Sequence, residues 1–240
     1  FTTAEVIVND YWVNKICRRF RHPEIQMMAT VFGAFEGIHI ESYSKLNESL
    51  GLESYEEFLK DPTTKAKLDN ILDRPEKTKR DIALSLAVFS GFTEGVNLFS
   101  SFAVLLNFSR FNKMKNMGQI ISLSIRDESL HSEAGCWLFR TFVSEYPEVF
   151  TDELKAEIYE AARVSVKLED EFIDKAFELG PIEGLDPEDL KQFIRFRANH
   201  KLTELNLKSN WKNVDKEAVA RITSWFDILS AGISSTDFFA

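Results

Sequence analysis

The chain has 240 residues, 44% of them hydrophobic, which is enough to bury the core of one large or two small domains. Its 38 acidic and 29 basic residues give a formal charge of -9, which argues against a nucleic-acid partner and for a soluble protein. Its two cysteines, Cys17 and Cys136, cannot form a disulfide framework and predict buried thiols in a reducing cytoplasm.

Six prolines and ten glycines fall mainly where helical patterns stop, which favours an all-α protein. Apolar spacing predicts a first helix over residues 3 to 20 and a longer one from about Pro23 to Leu50. Short polar helices are predicted within residues 53 to 73, one capped by Ser54 and the next starting at the turn of residues 61 to 63.

The run from about Lys77 to Phe108 is the most apolar part of the chain. Its last 27 residues hold a single charged residue, Glu94, and exceed the roughly 20 residues that a membrane span needs. The acid and several serines oppose the membrane interpretation, because each is costly in a bilayer. We therefore predict the central helix of a bundle, in which the one acid needs a reason to be buried.

Further helices are predicted over residues 112 to 145, 151 to 179, 187 to about 205 and, less regularly, within 214 to 240. No strand pattern of comparable length, phosphate-binding loop or zinc-type cysteine pair is present in the sequence. We predict a single domain over residues 1–240 with about eight helices. Because the chain opens without a methionine or a signal-like segment, we expect the protein to continue beyond both ends.

Two copies of the pattern Glu-Xaa-Xaa-His lie in predicted helices, beginning at Glu36 and at Glu128. At this spacing both side chains leave the same helix face and can reach one metal ion. Each copy also has an acid on the preceding predicted helix, 31 residues upstream of the first copy and 34 upstream of the second. The candidate ligands are Glu5, Glu36, His39, Glu94, Glu128 and His131.

This ligand set matches the ferritin-like pattern, in which two helices give one Glu each and two give Glu-Xaa-Xaa-His. Four carboxylates and two neutral imidazoles carry a charge of about -4, which balances two divalent ions in a core of low dielectric. Oxygen-rich donors without a thiolate suit iron or manganese rather than structural zinc. The alternative is a set of exposed acids and surface ion pairs, which the apolar neighbours of the motifs oppose: Phe32, Phe35, Ile38, Leu123 and Leu130.

Two further side chains lie close to the motifs. Tyr43 follows His39 by four residues and so lies one turn along the ligand face, where it could also be a core tyrosine bonded to a carboxylate. Asp127 is either an acceptor that fixes a ligand histidine or a surface acid. The remaining histidines, His22 and His200, lack a matching acid and are predicted to be surface or capping residues.

With these residues assembled, the chain resembles the radical-generating small (beta) subunit of class I ribonucleotide reductase, over nearly its whole length. The motifs that carry the resemblance are Phe1–Asn9 with its acid, Phe35–His39, Ser42–Ser44, Thr93–Gly95, Ser101-Phe102, Arg126–Glu128 with His131, Ser224–Asp227 and Thr236–Phe239.

The resemblance implies a cytoplasmic homodimer that works with a separate large (alpha) subunit. A dinuclear site, oxidised by oxygen or a reduced oxygen species, would start the radical reduction of ribonucleotides to deoxyribonucleotides in that partner. The six candidate ligands carry over by position. Tyr43 falls where the family keeps its radical tyrosine, and Asp127 where it has an outer-shell acid on the electron route.

One ligand departs from the commonest family pattern. Most tyrosyl-radical members have aspartate as the first ligand, whereas this chain has Glu5. Glutamate there is similar to subgroups with manganese and iron, or two manganese ions, in which the metals themselves hold the oxidising equivalent. The manganese-iron subgroup typically has phenylalanine at the position of Tyr43, so two manganese ions are favoured here, with manganese and iron or two irons as alternatives.

The family's upstream tryptophan would precede Phe1, and its tail with a relay tyrosine would follow Ala240.

Two other functions share the ligand pattern. One is a ferritin-like oxidase or monooxygenase that acts on a bound organic substrate, and the other is an iron-storage protein.

Overall fold

The computed structural model describes residues 2–51, 62–71 and 76–231. Every regular element in these ranges is a helix, which confirms the all-α prediction. The predicted cap at Ser54, the first residue of the turn at Asp61 and the motif Thr236–Phe239 lie outside the described residues. The chain divides into two compact units, Phe1–Leu72 and Asp73–Ala240, and the prediction of a single domain stays a prediction.

The first unit is built from the two predicted N-terminal helices and a shorter one. Pro23 begins the long helix at the position where its missing N–H costs nothing, and the exposed His22 precedes it as the N-cap residue. A π-helical stretch interrupts the first predicted helix. The elements are α1 (Thr2–Asp10), the π stretch Tyr11–Ile16, α2 (Cys17–Arg19), α3 (Pro23–Ser49) and α4 (Pro62–Ile71).

Packing of the N-terminal segment against α3 sets the register of the first unit. The ring of Trp12 is buried and meets Phe32 edge-on, with 5.0 Å between ring centroids. Asn9 Nδ2 donates to the carbonyl oxygen of Gly33 at 2.6 Å. A Cβ atom on Gly33 would overlap Cγ2 of Val13, so a larger residue here would require the Val13 side chain to move.

The second unit contains the remaining helices, and their N-terminal caps match the sequence signals. Thr78 and Asp81 form a reciprocal capping box, and Asp186 and Asp215 accept from backbone N–H groups of the helices they precede. The elements are α5 (Lys79–Val88), the π stretch Phe89–Thr93, α6 (Phe99–Arg110), α7 (Lys115–Glu145), a 3₁₀ turn (Pro147–Val149), α8 (Asp152–Ala176), α9 (Pro187–Glu204) and α10 (Lys216–Ser230).

The prediction of one uninterrupted helix from about Lys77 to Phe108 was wrong. The run forms α5 and α6, separated by the π stretch and by turns at residues 94–98. Glu94 N and Asn97 N donate to carbonyl oxygens five residues earlier, on Phe89 and Phe92, which places both residues off the α-helical register. Among the described helices, none has the length and apolarity that a bilayer crossing requires.

Phenylalanine rings fill much of the core of the second unit. Phe99 and Phe102 meet edge-on with 5.5 Å between centroids, and the ring of Phe226 lies 5.2 Å from that of Phe193. Rings of this size bury large apolar areas, so they anchor α6, α9 and α10 to one another. The fully buried phenylalanines of this unit include Phe92, Phe99, Phe102, Phe139, Phe193 and Phe226.

Three apolar residues that were expected to surround the metal motifs lie on the surface instead. Ile38, Leu123 and Leu130 are 59%, 53% and 49% exposed. Ile38 and Leu130 each follow a motif glutamate by two residues, which turns a side chain by about 200° around a helix and onto the opposite face. Closeness to a motif in sequence therefore does not show whether an apolar side chain is buried.

Candidate metal centre

The first unit brings three of the predicted ligands together in a cluster of Glu5, Glu36 and His39. Glu5 extends from α1, and Glu36 and His39 lie one turn apart on α3. Nδ1 of His39 lies 3.2 Å from Oε2 of Glu36 and 3.7 Å from Oε2 of Glu5. One ligand atom of each residue lies within 4.8 Å of the others, and all three side chains are buried. We call this group the first cluster.

The protonation of Glu5 reflects this environment. Burial raises the pKa of its carboxyl from the usual 4.5 to about 8, and the nearby acid Glu36 raises it further. His39 opposes both effects and lowers the pKa, but by less than burial raises it. In the metal-free protein a proton is therefore held where a cation would otherwise balance the carboxylate.

The second unit has a matching group of Glu94, Glu128 and His131, which we call the second cluster. Glu128 and His131 lie one turn apart on α7, and Glu94 lies at the break between α5 and α6. Nδ1 of His131 lies 3.7 Å from Oε2 of Glu94. The three residues offer ligand atoms within 4.8 Å of one another, and each is at most 1% exposed.

The helix break determines where Glu94 lies. A π stretch inserts an extra residue into a helical turn and is frequently found at functional sites. Here it lies directly before Glu94, whose backbone N–H bonds to the carbonyl oxygen of Phe89. The sequence contains no proline at this point, and the pair Ser90-Gly91 is the only local signal of a distorted helix within the π stretch.

The two remaining predicted site residues differ in burial. Tyr43 is 2% exposed, and its ring centroid lies 6.3 Å from that of His39, as expected one turn further along α3. Asp127 is half-buried on α7, one residue before Glu128. The roles of both residues stay predictions. His22 and His200 have side chains 66% and 63% exposed, which confirms that they are surface residues.

Each cluster suits a hard or borderline divalent cation. Two carboxylates and one imidazole supply oxygen and nitrogen donors with a charge of about -2, which matches one such ion per cluster. Carboxylates that are fully buried together are unfavourable unless a cation or protons neutralise them. The donor chemistry of both clusters therefore fits iron or manganese.

Comparison with known proteins identifies the family. The model of the family "Ribonucleotide reductase, small chain" matches residues 1–217. The chain belongs to the ribonucleotide reductase small-chain family. A relative from Invertebrate iridescent virus 3, named "Probable ribonucleoside-diphosphate reductase small subunit 048L", is 36% identical over 259 residues, which cover 100% of this chain and 67% of the relative.

Solved structures of ribonucleotide reductase small chains share the fold. The dimanganese(II)-NrdF of Streptococcus sanguinis has a TM-score of 0.71 at 21% identity, covering 92% of this chain and 79% of its own. The Rnr4 homodimer of Saccharomyces cerevisiae has a TM-score of 0.73 at 17% identity, covering 90% of this chain and 67% of its own. The ferritin-like fold class predicted from the ligand pattern is therefore confirmed.

Membership of the ribonucleotide reductase small-chain family confirms the predicted function. The chain is a small subunit of the ribonucleotide reductase type, which is an oxidoreductase. The alternative function, an oxidase that acts on a bound organic substrate, is not favoured. Sequence reasoning missed a set of polar side chains around the helix break, namely the buried Ser132 and Glu169 and the half-buried Arg197. None has a spacing or composition signal, because their partners lie on other helices.

Proposed function

We propose that the two clusters belong to one dinuclear metal centre, and that this centre starts the radical reduction of ribonucleotides in a large subunit. The observation that carries the proposal is the pair of buried clusters, alike in composition, in a chain of the ribonucleotide reductase small-chain family. Their four carboxylates and two imidazoles balance two divalent ions in charge.

The metals we propose are two manganese ions, with manganese and iron or two irons as alternatives. The support is Glu5, which replaces the aspartate of most tyrosyl-radical members, and the similarity in fold to a dimanganese(II) small chain. When bound and oxidised by an oxygen species, the metal pair supplies the oxidising equivalent for the reaction. We also propose that the protein works in the cytoplasm, which its free cysteines support.

Named residues of this chain have separate tasks in the proposal. The six ligands hold and neutralise the ions, and the helices that carry five of them, all except Glu94, keep those donor atoms in place. Asp127, next to Glu128, would accept a hydrogen bond from a ligand histidine and fix its orientation. Tyr43 has two possible tasks, either to carry the radical or to donate a hydrogen bond to a carboxylate.

Metal content and activity test the proposal together. The full-length chain purified from its own cytosol should show anomalous scattering at the manganese edge, with two manganese ions per chain. Loaded with manganese and treated with oxidant, it should support ribonucleotide reduction with its cognate large subunit. Iron in both positions with a strong tyrosyl radical would refute the manganese assignment, and full metal loading without reductase activity would refute the function.

Replacing Tyr43 by phenylalanine should leave at least about a tenth of the activity, because in a dimanganese centre the metals hold the oxidising equivalent. Loss of one buried hydroxyl should cost only about 1 kcal/mol of unfolding free energy. Reductase assays and metal analysis of Tyr43→Phe would check this, with Tyr11→Phe, a buried tyrosine of the same unit, as the control. Activity below detection with unchanged metal content would instead assign the radical to Tyr43.

We further propose a homodimer that associates through an apolar stripe on α3. Met27, Val31 and Ile38 are 65%, 49% and 59% exposed, and their spacings of four and seven residues place them on one helix face. Contiguous exposed apolar surface commonly marks an association site. A small chain of similar fold, Rnr4, forms a homodimer.

Ile38→Glu should weaken the homodimer at least about 100-fold, because it places a charge on each side of an apolar interface. Sedimentation velocity over a concentration series would measure the dissociation constant. Leu179→Glu is the matched control, since Leu179 is fully exposed on the other unit. Unchanged dimerisation of Ile38→Glu would rule out this stripe as the interface.

A further inference from the structure

The break between α5 and α6 leaves backbone groups without their usual helical partners. In a regular helix the N–H of Phe99 would donate to the carbonyl oxygen of Gly95, but it donates to Val96 O at 3.0 Å instead. The N–H of Ser100 donates to Oε2 of Glu169 at 3.3 Å. Buried backbone groups of this kind require partners from elsewhere in the fold.

Arg197 supplies the partner for Gly95. Its Nε donates to the Gly95 carbonyl oxygen at 3.2 Å, one residue after the ligand Glu94. The guanidinium carbon of Arg197 lies 3.2 Å from the centroid of the Phe99 ring, at the first residue of α6. One side chain of α9 therefore contacts both the end of the break and the helix that follows it.

Arg197 is also an unusual residue to find in this place. Burial lowers the pKa of its guanidinium to about 9, against the opposing effects of Glu204 and Asp227. Arg197 is half-buried, and removing a cation even partly from water is costly unless its contacts compensate, so a merely space-filling role would be met better by an apolar residue. Its hydrogen bond to the break provides a specific reason for the charge.

Ser132 holds the other end of the break. It directly follows the ligand His131 on α7, and its Oγ donates to the carbonyl oxygen of Ser90 at 2.6 Å. Ser90 lies within the π stretch. A Cβ atom on Gly95 would lie 2.8 Å from Oγ of Ser132, so the segment passes close to this hydroxyl. The two donors thus flank Glu94, one on each side.

We propose that Arg197 and Ser132 are positioning residues that keep the π stretch in place and thereby hold the Glu94 carboxylate beside His131. This inference rests on the proposed metal function of Glu94. If the π stretch relaxed to a regular α-helix, the residues after it would turn by about 100° around the helix axis, since an α-helix has 3.6 residues per turn. Glu94 would then leave the second cluster, while the first cluster would keep its ligands.

Manganese binding by the full-length protein tests the inference through the difference between its two metal positions. Equilibrium binding of Mn²⁺ should show two tight ions per chain in the wild type. Arg197→Met and Ser132→Ala should each keep one tight ion and weaken the second by about 10- to 100-fold, the usual effect of losing an outer-shell contact. The paramagnetic resonance spectrum should change accordingly from a coupled manganese pair to an isolated ion.

Two controls match the chemistry of these changes. Arg195→Met removes an arginine from the same helix, where it pairs with Asp170, and Ser129→Ala removes a hydroxyl that bonds only within α7. Both control variants should bind two tight ions and keep the coupled spectrum. A general loss of stability would weaken the binding of both ions alike, whereas loss of positioning would weaken the binding of one ion.

Different results separate this inference from the proposed function. If the wild-type protein binds no pair of ions, the proposed function is wrong. The positioning role would be overturned if the wild type bound two tight ions and the folded variants bound both with unchanged affinity. It would also be overturned if the variants lost affinity equally for both ions. Should Arg197→Met fail to fold, Ser132→Ala decides: weakening of one ion supports the role and unchanged binding overturns it.

Discussion

Replacement of Glu128 by alanine is expected to abolish ribonucleotide reduction and to weaken manganese binding by more than about 100-fold, because losing even an outer-shell partner costs 10- to 100-fold. Glu128 is fully buried in the second cluster, so no water-exposed group can substitute for its carboxylate. Metal analysis after gel filtration and a reductase assay with the large subunit would measure the two losses.

The metal-free Glu128→Ala variant should nevertheless be at least as stable as the metal-free wild type, because it removes one of several carboxylates buried together. Glu133→Ala, on an exposed position of the same helix, is the control and should retain metal and activity. Wild-type metal content in Glu128→Ala would remove Glu128 from the ligand set. A collapse of the fold would show that the residue has a structural role instead.

Sequence spacing predicted the composition of the site because helices have a fixed geometry. A separation of three residues places Glu36 and His39 on one helix face, and the same argument holds for Glu128 and His131. Glycine and proline likewise predicted several helix ends, for example the start of α3 at Pro23. These features depend on residues close in sequence, which is why they could be read without a structure.

The helix break and its partners depend on contacts between distant residues. Arg197 contacts Gly95 across 102 positions of sequence, and Glu169 contacts Ser100 across 69. No local pattern distinguishes such a buried charge from a solvated one. The same limit explains the exposed Ile38, since apolar character does not reveal whether a residue faces the core or a partner.

Manganese should raise the melting temperature of the wild-type protein by at least about 8 °C. An ion present at a thousand times its dissociation constant contributes about 4 kcal/mol to stability. For a chain of this length, each kcal/mol shifts the melting temperature by about 2–4 °C. Calorimetry without oxygen, with and without Mn²⁺, would measure the shift, which Glu128→Ala should lose and Glu133→Ala should keep.

This shift should grow with pH because Glu5 exchanges a proton for the metal. Its pKa is about 8 in the metal-free fold and near 4.5 in an exposed carboxyl, so the fold binds a proton that the unfolded chain releases between these values. The metal-free protein therefore loses stability as pH rises through this window. Bound metal displaces the proton, so its affinity rises up to about tenfold per pH unit there.

Between pH 6 and pH 8 the manganese-dependent shift in melting temperature should therefore increase by about 5–10 °C, from a gain of up to 2.7 kcal/mol at 2–4 °C each. Glu5→Gln cannot exchange a proton, so its metal-free melting temperature should vary less with pH and its response to manganese should be weak at both values. Equal manganese shifts at pH 6 and pH 8 in the wild type would mean that Glu5 is already ionised in the metal-free fold. The metal would then displace no ligand proton between these pH values, and the metal-free melting temperature of Glu5→Gln would vary with pH as that of the wild type does.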